Sequence, residues 1–236
     1  MKKVSVDLNS PSPYIEKSSF LYNFKRKLSY AFAINAVKRA QLKEGVFSLL
    51  EIGTGSGYFL SFIHAEFPHA KLFGIEYDPR LLEETKKKVP FANCLNGNAE
   101  LFDFGDQKFE IIVSFQVIEH LYNPVAMLEC VKKHLAPNGL FIFTTPNLDG
   151  LGAQVMGGKW HGYRDDHVNL KGFTDWQILL ESNGYSRVYC GSTFFSGIPI
   201  LNRFPLGLLN WALLVVFGAA RWERGESFVG IFKAEN

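Results

Sequence analysis

The sequence has almost no charge imbalance: 25 Lys and Arg stand against 23 Asp and Glu in 236 residues, a formal net charge of +2. A dedicated nucleic-acid binder would show a strong basic excess, and a disordered chain would hold fewer apolar residues than the 47% found here, so both classes fall away. Cysteine is scarce as well. Cys94, Cys130 and Cys190 are odd in number and lack metal-ligand spacing, which leaves neither a disulfide framework nor a zinc knuckle. The basic start MKKVSVDLNSPSPY has no apolar run behind it, so it does not read as a secretory signal, and the cytoplasm is the expected compartment.

What charge there is lies unevenly. Residues 1–45 hold nine Lys/Arg against three Asp/Glu, so the rest of the chain is net negative, and the 31 residues from Cys190 to Ala220 contain one charge, Arg203. Within them FPLGLLNWALLVVFGAA, Phe204 to Ala220, is interrupted by Pro205, Gly207 and Gly218. A helix from Leu206 to Ala220 would reach roughly 22 Å, against about 30 Å of bilayer hydrocarbon, which excludes a transmembrane span. Two readings stay open: a helix buried on the main domain, or a patch that dips into a membrane surface or covers a greasy substrate, flanked by Arg203, Arg221, Trp222 and Arg224.

Periodicity supplies the fold class. Phe20, Phe24, Leu28, Phe32 and Ala36 recur every fourth residue and predict a helix over 18–43, capped by Ser18 or Ser19, with Lys25, Arg26, Lys27, Lys38 and Arg39 off the stripe. Apolar runs at 47–52, 71–75, 109–115 and 139–145 read as buried parallel strands, with two more near 185–193 and 227–234. Helix starts are marked by Asp78-Pro79, Asn123-Pro124 and a capping box at Thr174–Gln177; Asn138-Gly139 and Asn183-Gly184 mark helix ends. Such alternation implies an α/β doubly wound, mostly parallel sheet. The expected organisation is an N-terminal helical cap (1–45), a main domain (46–236), and an apolar insert (194–224) between its last two strands.

The first strand runs into Glu51-Ile52-Gly53-Thr54-Gly55-Ser56-Gly57-Tyr58, a glycine turn that opens a helix. Such a turn lets backbone approach a ligand closely at a helix N-terminus, or serves as a purely structural turn. A dinucleotide fingerprint, G-x-G-x-x-G, would need a third glycine where Tyr58 or Leu60 stands, so that reading fails. What remains is E-x-G-x-G-x-G with a second acid, Glu76, ending the second strand, where a carboxylate can accept from ribose hydroxyls.

Together with Asn98-Ala99-Glu100 after the third strand and the run IIVSFQVIEHLYNPVAMLECVKKHLAPNGLFIFTTPN (111–147), these residues resemble the class I S-adenosylmethionine (SAM) methyltransferases, in particular the ubiquinone-biosynthesis and glycan-pathway O-methyltransferases. The resemblance covers roughly residues 45–190 and implies a seven-stranded Rossmann-like methyltransferase fold. It further implies that Glu51 sits near the SAM amino group, that Gly53, Gly55 and Gly57 line its methionine part, that Glu76 holds the ribose, that Tyr77, Asn98 and Ala99 lie beside adenine, and that Gln116 closes the other side. Asn98 departs from the family's usual carboxylate.

Gln116-Val117-Ile118-Glu119-His120 follows the fourth strand at the mouth of the crevice. His120 titrates near neutral pH and could take a hydroxyl proton, or it could merely buttress the loop. His167, shortly before Phe173-Thr174, matches a histidine that faces the acceptor site in related methyltransferases, and it follows a glycine-rich stretch, 150–158, long enough to act as a flap. Glu119, His120 and His167 also suggest a divalent metal, as in the E-x-x-E-H motif of plant-type small-RNA methyltransferases, but the first acid is here Gln116, a poor ligand for a hard cation. Whether a metal is bound stays undecided. The expected function is therefore O-methylation of a small hydroxylated, lipid-linked or prenylated acceptor, with peripheral membrane contact through 204–220. The alternatives are metal-dependent RNA ribose methylation or a catalytically inactive SAM-binding regulator.

Overall fold

The computed structural model describes residues 27, 29–40, 46–193, 205–206 and 219–235. In chain order the elements are α1 (Ala31–Arg39), β1 (Ser48–Ile52), α2 (Tyr58–Glu66), β2 (Lys71–Glu76), α3 (Pro79–Lys88), β3 (Asn93–Asn96), β4 (Phe109–Phe115), α4 (Pro124–His134), β5 (Leu135–Pro146), α5 (Leu151–Met156), α6 (Phe173–Ser182), β6 (Tyr185–Thr193), β7 (Ala219–Ala220) and β8 (Ser227–Ala234). Among the described residues one sheet holds every strand, in the order β3-β2-β1-β4-β5-β8-β6-β7. β1 pairs in parallel with β2 and β4, β2 with β3, and β4 with β5, whereas β8 runs antiparallel to β5 and β6. The predicted doubly wound sheet is present, with an eighth strand in place of seven: Ala219 and Ala220 pair antiparallel with Thr193 and Ser192.

Both sheet faces are covered, as parallel strands with apolar residues on either side require. On one face Leu49, Ile111, Val113 and Ile142 pack with Ala33, Ile34 and Val37 of α1 and Phe59, Leu60 and Ile63 of α2. On the other, Leu50, Ile112, Phe141, Phe143, Phe228 and Phe232 meet Met127, Leu128 and Val131 of α4 and Trp176 and Leu180 of α6. Many of the chain's phenylalanines sit in these two layers, where they meet mostly edge to face.

Several helix ends differ from expectation. The side chains of Asp78 and Asn123 accept from Arg80 N and Ala126 N, and so cap α3 and α4 as predicted. The Thr174 capping box does not form: α6 begins at Phe173, and its first N–H donates to the Asp149 carboxylate at 2.7 Å. A carboxylate at the helix N-terminus meets one orphan donor and the dipole together. β5 starts at Leu135, directly after α4, because Leu135 pairs with Phe109 before an irregularity brings Leu140 opposite Ile111. Asn138, in the left-handed region at φ 63°, lies within that irregularity rather than at the strand's start.

In the N-terminal helix Tyr30, Ala33, Ile34 and Val37 are buried, while Phe32 and Ala36 of the predicted stripe are half-buried against the same core; Phe20, Phe24 and Leu28 lie outside the described residues. Tyr30 sets this register by packing on Phe59 and Phe115, at centroid distances of 5.3 and 5.0 Å. Lys27 and Lys38 both reach Glu66, at 3.4 and 2.6 Å, so part of the basic charge is spent on docking the helix. The remaining positions of the predicted 18–43 helix, and most of 204–220, lie outside the described residues. No helix among the described residues is long and apolar enough to cross a membrane.

Phe143 is fully buried, 5.2 Å from Phe141, 5.4 Å from Phe228 and 6.3 Å from Trp176. Phe143→Ala is expected to cost about 3–5 kcal/mol, by lost transfer energy and the cavity left behind. The urea midpoint of unfolding measures it.

Candidate active site

The carboxyl ends of β1, β2 and β4 converge on the glycine turn. Gly53, Gly55 and Gly57 have φ of 76°, 54° and 73°, a region that costs other residues about 1–2 kcal/mol each. Ile75 O accepts from both Gly53 N and Thr54 N, at 2.8 and 3.1 Å, which bends the chain back over the end of β2. A methyl group on Gly53 would come within 2.4 Å of the Val117 side chain, whereas one on Gly55 would meet nothing within 4 Å. The turn is therefore tight against the β4 loop on one side and open on the other.

Glu76 completes the latch. One carboxylate oxygen accepts from Gly55 N at 2.8 Å and the other from Asp78 N at 3.0 Å. Burial pushes its pKa above the usual carboxylate value, and the backbone N–H groups of Asp78, Gly55 and Tyr77 oppose that shift. Glu51 is buried in β1 opposite Gly74. Cys94 lies within reach of its charge, and burial, with that charge second, pushes the thiol up to about 12.

Tyr77 is exposed, Ala99 is buried in the core, and Asn98 Oδ1 accepts from Glu100 N at 2.9 Å in a local turn. Gln116 sits at φ 56°, an uncommon backbone state for a non-glycine residue, held by Gln116 N to Thr144 O at 2.9 Å and its amide to Thr144 Oγ1 at 3.2 Å. Two supporting residues escaped the sequence reading. Asn96 Nδ2 donates to the carbonyls of Glu76 and Tyr77, and Thr85 Oγ1 donates to Gly55 O at 2.7 Å. Neither belongs to a local motif; each becomes visible only when β3 and α3 lie beside the turn.

The second half of the site joins residues far apart in sequence. Glu119 and His120 lie in a 3₁₀ turn (Ile118–His120), tied to the connection after β5 by Asn169 N to Glu119 O at 2.9 Å. His120 and His167 meet edge to face with ring centroids 4.7 Å apart. His120 Nδ1 is 3.0 Å from Asp166 O and 3.5 Å from Asp166 Oδ2, and His167 Nδ1 is 2.7 Å from Gly162 O. A carbonyl can only accept, so both Nδ1 atoms carry the hydrogen and each neutral ring keeps its lone pair on Nε2. Burial lowers both imidazole pKa values from the usual histidine value.

Glu119 is fully buried; one of its oxygens accepts from Thr145 Oγ1 at 3.1 Å and the other, Oε1, has no hydrogen-bond partner among the described residues. Its pKa is pushed up to about 8 by burial. One donor atom each from Glu119, His120 and His167 lie within 4.8 Å of one another. A buried carboxylate oxygen in need of a partner beside two imidazoles anchored through Nδ1 fits a divalent ion, which would act as a Lewis acid on a nearby oxygen. Gln116 takes no part, its amide being engaged by Thr144. The predicted flap is largely folded, as α5 and a 3₁₀ turn at Gly157–Lys159. A cavity of about 350 Å³ between α6 and β6 contains none of these residues.

Residues 18–189 match the methyltransferase domain family. The chain belongs to that family, and it is a class I methyltransferase domain whose cofactor is SAM. It is 30% identical over 99 residues to a probable SAM-dependent methyltransferase of Mycolicibacterium smegmatis (42% of this chain, 38% of that one). It is 25% identical over 155 residues to a malonyl-[acyl-carrier protein] O-methyltransferase of Paenibacillus (60% and 56%), and 28% identical over 118 to a ubiquinone biosynthesis O-methyltransferase of Cereibacter sphaeroides (48% and 47%). The chain thus spans about half or less of the length of these curated relatives. The fold matches the plantazolicin methyltransferase BpumL, solved with a desmethyl-plantazolicin analogue and S-adenosylhomocysteine, with a TM-score of 0.64 at 18% identity over 92% of this chain and 89% of that one.

Two outcomes follow. Gly53→Ala should lower stability by about 1–3 kcal/mol through the clash with Val117, read as a fall in melting temperature. The folded Glu119 holds its proton up to about pH 8 while the unfolded chain releases it near 4.5. The folded state then binds more protons in between, so stability of the chelator-treated protein should fall as pH rises across that window, and Glu119→Gln should abolish that part of the slope.

Proposed function

We propose that this domain transfers the SAM methyl group to the hydroxyl of a small acceptor, with His120 as the general base and His167 beside it. The observation that carries the reading is the pair of imidazoles, each fixed through Nδ1 to a backbone carbonyl and each with its basic Nε2 left for the acceptor. In the reaction the acceptor oxygen attacks the methyl carbon, the carbon–sulfur bond breaks, the hydroxyl proton passes to His120 Nε2, and the products are a methyl ether and S-adenosylhomocysteine. The Asp166 carboxylate, 3.5 Å from His120 Nδ1, would stabilise the imidazolium that forms. A sulfonium is a good leaving group, so most of the acceleration would come from alignment and exclusion of water.

On this reading Glu51 and the turn at Gly53, Gly55 and Gly57 face the methionine part of SAM. Each Glu76 oxygen uses one acceptor site on backbone N–H and retains another for a ribose hydroxyl. Tyr77, Asn98 and Ala99 would border adenine, and Gln116 the opposite side. A carboxyl acceptor, such as the free acid of the malonyl group in the Paenibacillus relative's name, is already ionised near neutral pH and needs no base; two basic imidazoles favour a hydroxyl. The sparse charge of 190–220 supports an acceptor with a lipid or prenyl portion, and peripheral membrane contact; of that segment the structure describes residues 190–193, 205–206 and 219–220. The Glu119–His120–His167 cluster favours metal-dependent RNA ribose methylation as a second reading, in which an ion would take the two Nε2 lone pairs and His120 would not be the base; the net negative charge beyond residue 45 weighs against it.

Extracts incubated with methyl-labelled SAM should place the label in the lipid phase; label in RNA would favour the second reading, and absence of SAM binding by calorimetry would sink both. Gly55→Ala should weaken SAM binding about tenfold or more while costing only the roughly 1–2 kcal/mol of the left-handed backbone in stability, because the added methyl meets no protein atom at the turn. His120→Ala should lower kcat by about 10²–10⁴. Since burial holds both imidazoles below their usual pKa, wild-type kcat/KM should decline only as pH drops below about 6.5, and that acid limb should vanish in His120→Ala. Near-normal turnover in both His120→Ala and His167→Ala would remove the assignment.

A further inference from the structure

Glu226 stands one residue before β8 and is buried, 6% exposed. Its carboxylate accepts from Trp160 Nε1, and Oε1 lies 3.2 Å from His161 Nδ1. The other oxygen, Oε2, is buried and has no hydrogen-bond partner among the described residues, and a Cβ on Gly152 would approach it to 2.4 Å, so α5 is packed directly on the carboxylate. Trp160 is 1% exposed, and a Cβ on Gly162 would sit 2.3 Å from its ring, so the indole presses against the Gly162 backbone. The carbonyl of that same glycine accepts from His167 Nδ1 at 2.7 Å. A buried carboxylate, an indole, a glycine carbonyl and an imidazole thus form one contiguous line that ends on the ring facing His120.

We infer that Glu226 is a positioning residue: through Trp160 and Gly162 it sets the orientation and tautomer of His167, more than 50 residues earlier in the chain. Its importance for turnover rests on the reading of the histidine pair given above. Three features support the relay. The backbone N–H of Trp160 is engaged by Gly157 O at 2.9 Å, so the indole N–H is the group left to donate to Glu226, and that bond sets the ring plane. Gly162 has no side chain, which lets the indole lie against the backbone that offers the carbonyl. And a carboxylate with one oxygen lacking a donor among the described residues is a costly way merely to fasten a loop, whereas an exacting position for a reactive ring accounts for keeping it.

The experiment compares Trp160→Phe, which keeps the ring and removes the N–H, with Glu226→Ala and Glu226→Gln, the last retaining an oxygen that can accept from the indole. Two readouts apply: the ¹⁵N shifts of His167, which report its tautomer, and kcat, acceptor KM and SAM affinity. Trp160→Phe and Glu226→Ala should turn the single Nδ1–H tautomer of His167 into a mixture and lower kcat about tenfold with SAM affinity unchanged. Glu226→Gln should restore both, and the Trp160→Phe/Glu226→Ala double variant should lose no more than either single one. If Glu226→Ala fails to fold, Trp160→Phe and Glu226→Gln still decide the matter. An unchanged His167 tautomer in Trp160→Phe, or SAM affinity falling in step with kcat, would overturn the relay. A lost tautomer with unchanged turnover would uphold the relay and count against His167 as part of the acceptor site.

Discussion

The arrangement depends first on how the chain leaves β1. Two consecutive N–H groups, Gly53 and Thr54, converge on the single carbonyl of Ile75, and the next N–H, that of Gly55, meets the Glu76 carboxylate. These bonds can form only with the backbone in the left-handed region and with no side chain between Gly53 and Val117. The end of β1 is thereby fastened to the end of β2 on one side and pressed on the β4 loop on the other. Everything placed at the crevice mouth takes its position from that junction.

The second organising region is the run after β5. Asn147 donates from its side chain to the carbonyls of Glu223 and Gly225 and from its backbone to Glu226, while Asp149 caps α6. Polar side chains here replace the sheet ladder where the chain leaves the sheet, as buried backbone groups require. The segment between, with Trp160 buried in its middle, is anchored at both ends, and this is what brings Asp166 and His167 to His120. Glycines give this stretch its close packing, since Gly152, Gly162 and Gly172 all stand where a Cβ would collide with Glu226, Trp160 or Asp149.

Much of the fold and part of the candidate site were legible in the sequence. Strand runs such as FEIIVSF, the caps Asp78 and Asn123, and the spacing of Gly53, Gly55 and Gly57 with Glu51 and Glu76 are local or carry a fixed period, so they can be read in line. Helix ends that depend on distant groups are less legible: Thr174 fits a cap in the sequence, but Asp149 takes that place in the structure. In the N-terminal helix Phe32 and Ala36 of the predicted stripe face the core only in part, because Tyr30 packs on Phe59 and Phe115 beside them and Ala33, Ile34 and Val37 take the deepest positions. Asn96 and Thr85 were missed because they act only across neighbouring elements.

By itself the sequence determined the α/β class, the strand runs that order the sheet, the glycine turn with its acids, and membership of the methyltransferase family, all of which rest on short-range pattern. Only the tertiary structure decided that β5 starts directly after α4, that the 150–160 stretch folds onto Glu226, and that Glu119, His120 and His167 share one small volume. Those outcomes depend on contacts between residues tens of positions apart, whose geometry follows from packing the layers around the sheet rather than from any local spacing.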